Sequence, residues 1–235
     1  MGQIAAYLRQ HWPQVAACYD DATLTALDAA YQEPQRAYHD TSHIIELLEK
    51  LETYKHVVDR PDLIVHAIIW HDAVYSTFDM AGETMVHRPD AVNVAASAEW
   101  FERTPVAISP QDKTQIAGMV RATSGHDVRL APNHPHYNDT ALFLDLDLSV
   151  LALPYFEFAE RTMRIRQEYP HLTDQQFFLG RADFLDAYGS KETLFFNAST
   201  AAIFDPIARA NMQRQAGELR IIAAQKAGGS PTAGP

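Results

Sequence analysis

Apolar residues recur through this chain at the three- and four-residue spacing of helices and almost nowhere at the two-residue spacing of strands. That one feature confines it to the all-α class. Ile44, Leu47, Leu48 and Leu51 form one stripe, and Ile64, Ala67, Ile68 and His71 repeat it with a histidine in the last inward position. Ala91, Val94, Ala95, Ala98 and Phe101 make a third. Ser109-Pro110 reads as a cap followed by Pro at the first helical position, opening a helix with Ile116, Met119, Val120 and Thr123 inward. Thr173 and Gln176 have capping-box spacing ahead of Phe177, Phe178, Arg181, Ala182 and Leu185. A late helix carries Phe204, Ile207, Ala208 and Met212.

Asn-Gly and Asp-Gly turns are absent from the sequence, so the stretches 76–89 and 126–139 read as irregular loops and no hairpin is expected. The apolar helices on either side of each loop need one another for burial. The expectation is therefore a single all-helical domain over residues 1–227, with a core at 38–152, further helices at 154–227 and a disordered Gly/Pro/Ser tail at 228–235.

A net charge of -11 argues against an unassisted hold on a nucleic acid polymer or an anionic membrane, although a metal ion can give an acidic protein local positive charge. Cys18 is the only cysteine, which excludes an internal disulfide and a Cys-based zinc site. With no apolar leader and no run long enough to span a bilayer, the expected setting is cytoplasmic. The absence of a Gly-rich phosphate loop disfavours a kinase or P-loop ATPase.

Polar residues sit where the helical period calls for apolar ones. In the run 64–75, Asp72 follows His71 within an otherwise apolar stretch. A carboxylate buried there needs a partner. A metal ion serves His71 and Asp72 together; an arginine or a helix cap serves Asp72 alone and leaves His71 a hydrogen-bonded core histidine. His39 and His43 lie four apart ahead of the first stripe, and Asp145 and Asp147 lie in a second apolar run, 141–151. Three apolar segments with His or Asp at inward positions form the pattern of a metal site inside a helical bundle.

These residues resemble those of the HD-domain superfamily of metal-dependent phosphohydrolases, and within it a bacterial subgroup of predicted phosphohydrolases. The paired histidines of 38–44, the His-Asp-Ala-Val-Tyr of 71–75 and the acids of 143–151 carry the likeness. So do Thr123-Ser-Gly-His126, the stretch 165–169, Gly180-Arg181 and the stretch 208–211. The similarity spans 38–211.

The resemblance implies an HD-like helical bundle with added C-terminal helices and one divalent ion, which is Mn, Fe, Co, Ni, Zn or Mg. Its ligands would be His43, His71, Asp72 and Asp147, with Asp145 the less fitting alternative to Asp147. The implied activity is hydrolysis of a small phosphate ester, such as a nucleotide, by a metal-activated water. Asp72 would also accept a proton, and His39 would act beside the ion or on the substrate, the alternative being a plain surface histidine. His126 is a candidate second-metal or phosphate ligand. Arg166 and Arg181, with Arg164, are candidate phosphate clamps; the structural alternative for these arginines is an ion pair to Glu168 or Asp183.

One departure stands out. The subgroup's Asp-Asn-Glu-x-x-Ser-Ala motif keeps Asn93, Ser97 and Ala98 here and lacks both acids, while the lengthened loop before it holds Asp79 and Glu83. Either these acids replace the missing pair in space or the site has no outer carboxylate. Two rival readings follow: a non-catalytic HD-like binding or regulatory module, and an all-α interaction protein without metal. Oligomeric state is not readable from the sequence.

Overall fold

In the computed structural model, which describes residues 2–128, 130 and 132–228, the chain is all-α. The helices are α1 (Gln3–His11), α2 (Pro13–Ala16), α3 (Asp21–Ala30), α4 (Thr41–Tyr54), α5 (Pro61–Trp70), α6 (Asp90–Arg103), α7 (Pro110–Ala122), α8 (Tyr137–Asp147), α9 (Tyr155–Gln167), α10 (Asp174–Gly189) and α11 (Ala198–Gly228). The expected tail from 228 lies outside the described residues apart from Gly228, which ends α11.

Local chemistry starts several of these helices. Ser109 caps α7 through the Asp112 N–H, and Thr173 and Gln176 form the capping box of α10. Asp40 caps α4 by accepting from the Ser42 and His43 N–H groups, which fixes His43 in the first helical turn. The buried carboxylate of Asp28 accepts from the Ile4 and Ala5 N–H groups at 2.8 and 3.3 Å, so α3 caps α1. The first thirty residues thus build core as well as cover it: Ile4, Leu8, Trp12, Leu24 and Leu27 are all buried.

α5 is the central helix. Every residue from Leu63 to Trp70 is buried, as a sequence apolar but for His66 requires, and it packs on α4, α7 and α8. A first hydrophobic core gathers around it, from Ile4 to Leu146. A second core forms between α9, α10 and α11, where Phe158, Phe178, Leu185, Met212 and Leu219 meet; it also takes in Tyr38, just ahead of α4. The functional candidates lie along the seam between the two.

The loop expected at 76–89 is instead an antiparallel hairpin, β1 (Phe78–Ala81) and β2 (Thr84–His87), joined by Gly82-Glu83 with Gly82 at φ +64. Gly at the first position of a two-residue turn also permits a hairpin, though it is a weaker sequence signal than Asn-Gly. Both strands are almost wholly exposed, so no buried face imposes the alternation by which a strand is read from sequence.

The stripe expected on α6 is rotated. Ala91 and Ala95 are exposed, while Asn93, Val94, Ser97, Ala98 and Phe101 face inward. The two polar residues are satisfied there: Asn93 Nδ2 donates to the Ser76 carbonyl, and Ser97 Oγ accepts from the Val74 N–H. On α11, Ile207 is exposed and the buried line runs through Ala208, Met212, Ala216 and Leu219.

Candidate metal centre between two helical layers

Three helix ends meet at the seam. His43 stands in the first turn of α4, His71 is the C-cap of α5, and Asp147 is the last residue of α8. α5 ends at Trp70, so Asp72 sits on the turn after the helix and not within it as its apolar setting suggested. Helix ends suit this role because their side chains can converge without breaking a continuous backbone ladder.

His43, His71 and Asp72 present one donor atom each within 4.8 Å of one another, a group that could hold a metal ion. The two imidazole Nε2 atoms are 3.4 Å apart. Asp72 Oδ2 is 3.1 Å from His71 Nε2 and 4.0 Å from His43 Nε2. Asp147 Oδ1 lies 3.3 Å from His43 Nε2 and 3.5 Å from His71 Nε2, so the fourth expected side chain stands beside both histidines, outside the three-residue group. His126 joins from the turn after α7, its Nε2 2.9 Å from Asp147 Oδ2. Gly125 and His126 both take positive φ, 92 and 48, which turns the chain back toward the cluster.

The donor chemistry suits a divalent ion. His71 Nδ1 is 2.8 Å from the Ile68 carbonyl, which can only accept, so Nδ1 carries the proton and a neutral ring offers its lone pair at Nε2. Two imidazole nitrogens with carboxylate oxygens and no sulfur form a mixed set for a transition metal. Electrostatics show the same demand for positive charge. Burial opposes protonation of His71, yet the Asp72 and Asp147 carboxylates outweigh it and hold its pKa well above the usual histidine value. Burial would likewise raise Asp72 and Asp147, but His71 beside them, joined at Asp147 by His126 and His43, brings both well below the usual carboxylate range.

Asp145, the alternative ligand, points elsewhere. Two helical residues span about 200°, and Asp145 accepts from the Phe196 and Asn197 N–H groups at 2.8 Å and from Thr200 Oγ1, fastening the start of α11. His66 is also apart: it is buried against Tyr19, whose hydroxyl also accepts from Trp70 Nε1.

His39 precedes α4, so it does not share a helical face with His43. Its ring lies on Tyr75, centroids 4.1 Å apart, and its Nδ1 is 2.7 Å from Glu168 Oε2. Burial works against protonation of His39, but Glu168 raises its pKa above the ordinary value. Glu168, the C-cap of α9, also accepts the Ala37, Tyr38 and His39 N–H groups at 2.7–2.9 Å and the Tyr75 hydroxyl at 3.0 Å. Glu168 therefore pairs with a histidine and a run of backbone, not with the arginines expected for it.

Those arginines are placed differently from one another. Arg166 is engaged in the α9–α10 turn, binding Asp174 and the carbonyls of Tyr169 and Leu172, and is not among the residues lining the cavity beside the cluster. Arg164 binds the Ala37 carbonyl and Asp40. Asp183 pairs with Arg220. Arg181 does line the cavity.

That cavity, about 760 Å3, is bordered by His39, His71, Asp72, His126 and Asp147 on one side and by α10 on the other. Of the acids near the altered motif, Asp79 pairs with Arg88 at 2.6 Å and neither it nor Glu83 borders the cavity. Asp90 does, at its exposed rim. Partial enclosure, then the nearby Asp72 carboxylate, raises the Asp90 pKa.

Arg36, Glu168 and Asp90 have roles that sequence reasoning did not assign. The buried Arg36 guanidinium donates to the carbonyls of Asp72, Ala73 and His39 at 2.7–3.1 Å and so braces the Asp72 turn. No periodicity marks Arg36. Glu168 lies in the stretch 165–169 that carries part of the family likeness, but its partners are more than ninety residues away. No family model, curated protein or solved structure matches the chain.

Proposed function

We propose that the chain is a metal-dependent phosphohydrolase acting on a small phosphate ester, with His43, His71, Asp72 and Asp147 as the metal ligands. The observation that carries this reading is the gathering of His43, His71 and Asp72, with Asp147 beside both histidines, from distant parts of the sequence. Nearly sealed from solvent, such a group is costly unless a cation compensates it. The resemblance to HD-domain phosphohydrolases supports the choice of reaction.

A divalent ion bound there would supply Lewis-acid stabilisation of a phosphoryl oxygen and a more acidic water. The protein's part is positioning and proton handling. Asp72, braced through its backbone by Arg36, is the acceptor for the proton of the attacking water. His39, with Nδ1 held by Glu168, has Nε2 available to hydrogen-bond the substrate. His126 orients Asp147 and is the candidate ligand for a second ion or a phosphate. The cavity has room for a small organic phosphate such as a nucleotide. No described helix is long and apolar enough to cross a membrane.

The test joins metal binding to turnover. Protein stripped with chelator and titrated with Mn should bind it, and the loaded protein should hydrolyse members of a panel of phosphate mono- and diesters. Asp72→Ala should lower turnover at least a hundredfold. Metal binding with no turnover on the panel would establish the binding-module reading in its place, and no metal binding would overturn both.

A further inference from the structure

Arg181 is the one arginine among the described residues whose guanidinium makes neither a hydrogen bond nor an ion pair. Every other described arginine has at least one such partner, down to the half-buried Arg9 and the exposed Arg103 and Arg214. The chain has 30 acidic residues against 19 basic ones, so carboxylates are not scarce. Glu168 is committed to His39 and Tyr75, and Asp183 and Asp186, on the same helix as Arg181, are committed to Arg220.

Arg181 is held in place by aromatic groups. Its guanidinium carbon lies 5.0 Å from the Phe184 ring centroid, and its Nε is sealed from solvent without a partner. Burial draws its pKa below the ordinary guanidinium value, with the nearby Tyr38, Tyr169 and Tyr75 acting in the opposite sense. Tyr75 is also the ring on which His39 lies. A half-buried cation whose Nε is sealed without an acceptor is unfavourable in the free protein and becomes favourable once an anion enters.

We propose that Arg181 is the receptor for an oxyanion of the ligand, receiving the phosphoryl group of an organic phosphate at the α10 wall of the cavity that also borders His71, Asp72 and Asp147. This deepens the hydrolase reading by giving the substrate its anion site, but the site stands without the metal. A guanidinium matches phosphate with paired N–H donors, whereas an ammonium offers a single point of charge. Arg181→Lys should therefore recover only part of the binding.

The experiment uses inorganic phosphate as the probe, measured by titration calorimetry on the full chain with and without Mn, with Mn binding measured separately. Wild type should bind phosphate, and Arg181→Met should weaken it at least tenfold while Mn binding stays unchanged. Without ligand, Arg181→Met should melt no lower than wild type, since it removes an uncompensated cation; a structural arginine would give a lower melting temperature. Phosphate binding as tight in Arg181→Met as in wild type would overturn the proposal, as would no binding by wild type. Loss of phosphate binding on Arg181→Met in a protein that binds no Mn would sustain the anion site and sink the metal reading.

Discussion

Replacing Glu168 by Ala tests whether the C-terminal layer holds the candidate site in shape. The side chain is 1% exposed and accepts three backbone N–H groups, the His39 ring and the Tyr75 hydroxyl. Breaking a buried charged pair in this way costs about 3–5 kcal/mol. The acid's own titration gives a second route to the magnitude. Burial alone would raise Glu168, but His39 and the backbone donors bring it down to about 2 from 4.5. At 1.36 kcal/mol per pKa unit, that difference is worth about 3 kcal/mol at neutral pH. The two routes agree.

The sign of the pH dependence follows from the direction of each shift. A depressed carboxyl contributes stability that is present above its unfolded value of 4.5 and lost as pH falls toward 2. The raised His39 contributes below its unfolded value of 6.5 and fades as pH climbs through its folded value. The difference between wild type and Glu168→Ala should thus be largest between those unfolded values, narrowing below and somewhat above. Urea unfolding at pH 3, 5.5 and 8.5 measures it. Glu168→Gln, which keeps one carbonyl oxygen for the three N–H groups, should fall between the two. A cost under about 1 kcal/mol at pH 5.5, or one that does not vary with pH, would refute the reasoning.

Two further outcomes rest on groups outside the cluster. Burial draws the pKa of His66 down to about 4 from 6.5, so the unfolded chain binds the proton first and stability should fall by about 3 kcal/mol from pH 6.5 to 4. His66→Phe should flatten that acid limb in urea midpoints measured across the range, and an unchanged slope would count against it. Asp145→Ala should cost about 2–4 kcal/mol, because it strips the acceptor from two backbone N–H groups and a buried hydroxyl at the start of α11. Limited proteolysis should then cut first near residue 196, and cleavage confined to the hairpin would argue otherwise.

The helical class, the caps at Ser109 and Thr173 and the central apolar helix were readable from spacing alone, because each is a local property of a few neighbouring residues. Spacing also marked polar residues set among apolar ones, His39, His43, His71, Asp72, Asp145 and Asp147, but the choice of His43, His71, Asp72 and Asp147 among them came from the resemblance to the HD-domain superfamily. The hairpin escaped because its strands bury almost nothing, and the rotation of α6 escaped because Asn93 and Ser97 are polar residues made acceptable by partners in another segment.

Tertiary structure alone decided who partners whom. Asp145 and Asp147 look alike in the sequence, but helix rotation directs one to the backbone of α11 and the other to the histidines. Arg166 and Arg181 are both arginines of apolar helices, yet one is committed to a turn and the other is left facing a cavity. Periodicity specifies which side of a helix is buried; the identity of the atoms met there depends on contacts between residues far apart in the chain, which only the folded packing supplies.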